Sequence, residues 1–181
     1  MPNLPNILTI LRLLLVPVFC VLLINGDIYA AVAVYLIASV TDFFDGYLAR
    51  KYKQITTFGK FMDPTADKLL QVAALVILTF QHAIPIYITA VILVKELLIA
   101  IGGILLYRRY KIYASADWYG KAATVLFYIA IVAVILKFPS EQIALIMVIV
   151  AFALSLFAFA MYLVRYIRNV KASGVGKNKV D

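Results

Sequence analysis

The stretch Tyr29-AAVAVYLIASVTDFFDGYLAR-Lys51 decides how the chain folds. It opens on apolar and small residues and closes on Asp42, Asp45, Arg50 and Lys51. An α-helix needs about 20 predominantly apolar residues to cross a hydrocarbon core. Unpaired backbone in lipid leaves only helices or closed barrels, and the period-two alternation of a barrel strand is missing. The stretch therefore predicts a membrane helix that carries its charge at one end.

Five further apolar segments flank it, at about 8–25, 63–81, 84–107, 118–137 and 141–166. Turn chemistry separates them: Asn25-Gly26-Asp27, Pro85 near His82, and Pro139-Ser140. With 65% hydrophobic residues, 14% charged and a mean hydropathy of +1.00, no soluble domain of this length needs such a core. The expected fold is all-α, a polytopic membrane protein with six transmembrane helices in one bundle. It forms a single domain over 1–181, without internal repeats, and its short basic tail from about 170 is expected to be mobile.

Charge sets the orientation. Arg50, Lys51, Lys53 and Lys60 fall between the second and third segments, and Arg108, Arg109, Lys111 and Lys121 between the fourth and fifth. Arg165, Arg168, Lys171, Lys177 and Lys179 close the chain, leaving only Lys137 on the opposite side. The positive-inside rule then puts both termini in the cytoplasm. The net charge of +8 does not imply nucleic acid, because the cations punctuate apolar helices instead of forming a basic face. Anionic head groups or phosphorylated substrates suit it better. Cys20, alone, excludes an intramolecular disulfide and a cysteine-based zinc site and reads as a small core residue. His82 reads as a surface loop residue, and Met1 to Arg12 as mature protein without a signal-peptide cleavage site.

Of nine acidic residues, Asp42, Asp45, Asp63 and Asp67 lie together at the cytoplasmic ends of the second and third helices. A charged aspartate at membrane depth disfavours insertion by about 3 kcal/mol, so four together require compensation. The spacings i, i+3 and i, i+4 put each pair on one helix face, and the two faces can meet. An all-oxygen ligand set favours Mg²⁺ or Mn²⁺ over zinc, and four acids can bridge two ions. Structural ion pairs with Lys68, Lys95 or Arg50 are the alternative. Gly46 and Gly59 permit close backbone approach, Arg50 offers a planar fork for phosphate, and Thr56 and Thr57 offer hydroxyls. Asp63-Pro64 reads as an N-cap followed by the first helical residue, aiming a helix N-terminus at the acids.

Asp42-x2-Asp45-Gly46-x2-Ala49-Arg50-x8-Gly59-x3-Asp63-x3-Asp67 resembles, at every specified position, the signature of the CDP-alcohol phosphatidyltransferase family. Pro5-Asn6-Ile7-Leu8-Thr9 with Arg12 resembles the opening of its bacterial phosphatidylglycerophosphate synthase branch. The resemblance implies a bacterial plasma-membrane enzyme with its site on the cytoplasmic side, acting on CDP-diacylglycerol and releasing CMP. Asp42, Asp45, Asp63 and Asp67 would hold the metal, and Asp67 would also act as general base. Asn6, Ile7, Leu8, Thr9, Gly46, Arg50, Thr56 and Gly59 would contact the CDP-lipid. It also implies a homodimer.

Acceptor choice is less constrained. A phosphorylated acceptor such as glycerol 3-phosphate calls for cations, and Lys95, Arg108 and Lys121 are the candidates. Lys95 beside Glu96 reads equally as a simple neighbour pair, and Lys121 as a membrane-surface anchor. The branch's usual Arg-Glu and Gly-Lys-x-Lys-Thr are here Lys95-Glu96 and Gly120-Lys121-Ala-Ala-Thr124, which keeps phosphatidylglycerol, inositol phosphate and serine open as acceptors. A membrane prenyltransferase also pairs aspartate motifs around a metal pyrophosphate, but is usually longer. A small cation transporter would place its acids near the midplane between repeats.

Overall fold

The computed structural model describes residues 4–51, 57–110 and 118–172, with side chains described for 9–41, 66, 68–99, 101–102, 120–161 and 164. Six helices and no strand occur among the described residues: α1 (Leu4–Asn25), α2 (Ile28–Lys51), α3 (Thr57–Phe80), α4 (Ile86–Tyr110), α5 (Trp118–Leu136) and α6 (Glu141–Ala172).

Two boundaries correct the sequence reading. Helix α3 begins at Thr57, so Asp63-Pro64 lies inside the helix and does not cap it. A proline there forfeits one backbone bond, to the carbonyl of Lys60, and a long helix packed along its length absorbs that loss. No helix N-terminus is formed at Asp63. Helix α6 continues to Ala172, past the expected end of the sixth segment, and the rest of the basic tail lies outside the described residues.

The turns at the other end of the bundle share one design. Gly26, His82 and Lys137 adopt left-handed φ values of 84°, 58° and 53°. After each, a backbone N–H reaches back five positions: Asp27 to Leu22 O (3.0 Å), Ala83 to Leu78 O (2.9 Å) and Phe138 to Ala133 O (3.1 Å). The left-handed residues themselves bond Leu23, Thr79 and Val134. These are Schellman closures, which satisfy the orphan carbonyls of α1, α3 and α5. Gln81 ties two of the ends together by donating from Nε2 to Leu23 O at 2.9 Å.

The most extensive interface is between α5 and α6, followed by those of α1 with α2 and α3. Ala123, Phe127, Ala130, Ile131 and Val134 form the buried stripe of α5, and Ala144, Val148, Ala151 and Ala158 that of α6. Alanine at these positions lets the two backbones approach, the usual solution where lipid supplies no hydrophobic drive between helices. Phe19, Tyr35 and Tyr128 pack across α1, α2 and α5, tilted and edge-to-face, with ring centroids 5.2 and 5.6 Å apart. Cys20 is half-buried against this core, as expected, and His82 is exposed.

The outer faces are apolar. Leu14, Leu97 and Leu98 are each 61% exposed, and Ile37, Ile146 and Phe157 also point outward. Water would not tolerate so continuous an apolar exterior, whereas hydrocarbon does. Among the described residues Glu141–Met161 is long and apolar enough to cross a membrane by itself, and Thr9–Asn25, Ile28–Thr41, Lys68–Phe80 and Gly120–Leu136 are shorter apolar helices.

His82 occupies a left-handed position that only glycine adopts without a steric cost of about 1 kcal/mol. His82→Gly should therefore raise the thermal unfolding midpoint in detergent, corresponding to a gain of about 0.5–1 kcal/mol.

Candidate functional site

Asp42, Asp45, Gly46 and Arg50 lie in the last turns of α2, and Gly59, Asp63 and Asp67 in the first turns of α3. The two acid pairs are thus carried on unbroken helices that follow one another in the chain. Their side chains lie outside the described residues, as do Thr56 and the side chains of Asn6, Ile7, Leu8 and Arg108. Among the described residues no three His, Cys, Asp or Glu side chains group as metal ligands. Just before the acids, Ser39 and Thr41 donate their hydroxyl protons to the carbonyls of Tyr35 and Ile37, so these two polar groups are satisfied within α2.

Thr9, on α1, is fully buried, and so is Arg12 one turn further along. Helix α1 packs mainly on α2 and α3, the helices that carry the acids. A guanidinium at this depth has to be paired, and the combination of a buried threonine and a buried arginine marks this end of α1 as polar inside an otherwise apolar helix.

The described polar chemistry concentrates in a cavity of about 170 Å³ between α3, α4, α5 and α6. Lys68 directly follows Asp67, and Gln71 stands one helical turn beyond Asp67; both line the cavity. From α4 come Lys95 and Glu96, from α5 Gly120 and Thr124, and from α6 Phe152 and Ser155. Glu96 divides its two oxygens between two ammonium groups: Oε2 lies 2.9 Å from Lys68 Nζ, and Oε1 pairs with Lys95 Nζ. Lys68 also donates to Gln71 Oε1 (3.3 Å) and Lys95 to Ser155 Oγ (3.0 Å). The Lys95 ammonium lies 5.7 Å from the centroid of the Phe152 ring, within cation–π reach.

Lys95 and Glu96 are more than the neighbour pair read from the sequence, because Lys68 joins them from another helix. Two ammonium groups share one carboxylate, which leaves the trio one positive charge, with Lys95 and Glu96 mostly buried and Lys68 toward solvent. Such a site favours an anion of small size. Lys121 is exposed and is not among the lining residues, although its neighbour Gly120 is. Lys68, Gln71 and Ser155 were not singled out as ligand contacts. Ser155 carries the clearest overlooked signal, being the only serine or threonine between Glu141 and Arg168 in a long apolar run.

A family model described as CDP-alcohol phosphatidyltransferase matches residues 2–179. The chain is 37% identical over 176 residues to a protein of Haemophilus influenzae named CDP-diacylglycerol–glycerol-3-phosphate 3-phosphatidyltransferase, covering 89% of this chain and 91% of that one. It is likewise 37% identical over 176 residues to a probable phosphatidylglycerophosphate synthase of Mycobacterium tuberculosis, covering 93% and 83%. A Bacillus subtilis protein with the first of these names is 41% identical over 109 residues, 52% of this chain and 56% of that one.

Removing Glu96 leaves Lys95, whose side chain is only 10% exposed, without its counter-ion. Glu96→Gln should lower unfolding stability by about 2–3 kcal/mol in a thermal melt. Lys68→Met, at the far more exposed end of the trio, should cost less than about 1 kcal/mol.

Proposed function

The chain belongs to the CDP-alcohol phosphatidyltransferase family, and from that premise we propose that it transfers the phosphatidyl group of CDP-diacylglycerol to glycerol 3-phosphate, giving phosphatidylglycerol phosphate and CMP. The observation that carries the choice of acceptor is the small cavity in which Lys68 and Lys95 flank Glu96 immediately beyond Asp67. Drug-sized ligands occupy cavities of roughly 300–1,000 Å³, so about 170 Å³ suits a compact phosphorylated alcohol. The names of the relatives in Haemophilus influenzae and Bacillus subtilis specify the same acceptor.

In this reading Asp42, Asp45, Asp63 and Asp67 hold divalent metal, Mg²⁺ or Mn²⁺, in two sites. Four carboxylates without nitrogen or sulfur donors fit those hard ions. When bound, the ions withdraw charge from the donor phosphate and stabilise the departing CMP. The protein's own groups do the rest. Asn6, Ile7, Leu8 and Thr9 at the start of α1, with Gly46, Arg50, Thr56 and Gly59, contact the CDP part of the donor. Arg50 presents two parallel N–H donors to phosphate oxygens. An Asp67 carboxylate oxygen accepts the proton of the acceptor hydroxyl as the hydroxyl oxygen bonds to the lipid-bearing phosphorus and the pyrophosphate P–O bond breaks, its electron pair leaving with CMP. Lys95 meets the acceptor phosphate, and Arg108 supplements it; Lys121, exposed, serves the approach of the anion.

The six helices, 19 to 32 residues long, all cross the bacterial plasma membrane. At 1.5 Å per residue even the shortest reaches roughly 28 Å, close to the thickness of a hydrocarbon core. Both termini then lie in the cytoplasm, where the acidic ends of α2 and α3 meet water-soluble substrate. The protein acts as a homodimer.

Purified protein in detergent should release CMP when given CDP-diacylglycerol, Mg²⁺ and glycerol 3-phosphate, and chelation of the metal should abolish release. Asp67→Asn should lower the rate at least about 100-fold. Release with phosphatidylglycerol but not glycerol 3-phosphate, or an undiminished rate in the Asp67 variant, would contradict this assignment.

A further inference from the structure

We propose that Ser155 is a positioning residue that sets the affinity for the acceptor by fixing the Lys95 ammonium in the cavity; this rests on the reading of Lys95 as a contact of the acceptor phosphate. Lysine is a point charge on four flexible bonds, and holding it in one place requires directional partners. Helices α4 and α6 touch only sparingly, yet Lys95 reaches across from one to the other to donate to Ser155 Oγ at 3.0 Å.

The hydroxyl is itself oriented. Ser155 donates its single proton to the carbonyl of Phe152 at 2.7 Å, which turns its lone pairs toward Lys95. Of the three N–H donors of Lys95, one goes to Glu96 and one to Ser155. The third is left for a ligand oxygen, and the Phe152 ring walls the space beside it. Ser155 touches neither donor nor reacting atoms in this arrangement. Its loss should therefore weaken acceptor binding without altering the chemical step.

The test is steady-state kinetics of the full chain in detergent, with glycerol 3-phosphate and CDP-diacylglycerol varied separately, for the wild type, Ser155→Ala and Ser155→Thr. A hydrogen bond to a charged group predicts a rise of about tenfold in KM for glycerol 3-phosphate in Ser155→Ala, with kcat, KM for CDP-diacylglycerol and the thermal midpoint unchanged. Threonine, which keeps the hydroxyl and its bond to the preceding turn, should restore the wild-type KM. An unchanged KM for glycerol 3-phosphate in Ser155→Ala would overturn the proposal. So would a parallel rise in both KM values accompanied by a lower midpoint, which is the mark of general destabilisation. If Lys95→Ala raises KM for glycerol 3-phosphate while Ser155→Ala does not, the acceptor reading stands and the role of Ser155 falls. Wild-type protein that does not turn over glycerol 3-phosphate at all defeats both.

Discussion

Glu96 gives one oxygen to Lys68 on α3 and the other to Lys95 beside it, inside a bundle whose outer faces are apolar. Charge at such depth is tolerated only where it is matched, and among the described residues the trio of Lys68, Lys95 and Glu96 carries one positive charge over. That surplus is what a small anionic acceptor can neutralise. The trio also joins two helices that otherwise touch little, and through Ser155 it reaches a third. The join between α3 and α4 and the proposed hold on the acceptor therefore depend on the same few contacts.

The two ends of the bundle do different work. At one end, left-handed residues and six-residue backbone closures finish α1, α3 and α5 compactly, and Gln81 pins α3 to α1. At the other end α2 and α3 carry the four aspartates of the family signature, and α1 adds buried Thr9 and Arg12. The alanine-rich seam between α5 and α6 supplies one wall of the cavity, because small residues on both faces let the helices meet closely. The proposed activity thus falls at the end of the bundle where the family signature lies.

The number, type and approximate extent of the helices were legible in the sequence, because apolar runs broken by Asn25-Gly26-Asp27, Pro85 and Pro139 leave few other readings. The family was legible for a different reason: the run from Asp42 to Asp67 resembles its signature at every specified position, and the family model matches residues 2–179. Local rules misled at Asp63-Pro64, where a strong start signal was overridden by a helix already under way from Thr57. The link from Lys68 to Glu96 and the bond from Lys95 to Ser155 could not be read, since they join residues on different helices and depend on how those helices pack. Lys121 illustrates the converse. Its position in the sequence suggested an acceptor contact or a membrane-surface anchor, and it stands exposed while Gly120 and Thr124 line the cavity.

The most direct test of a site that joins a donor phosphatidyl group to a small phosphorylated acceptor is the mass of the lipid it makes. Purified protein supplied with CDP-diacylglycerol, Mg²⁺, glycerol 3-phosphate and phosphatidylglycerol together should yield phosphatidylglycerol phosphate as its sole new lipid. Cardiolipin as the main product, or phosphatidic acid from transfer to water, would contradict it.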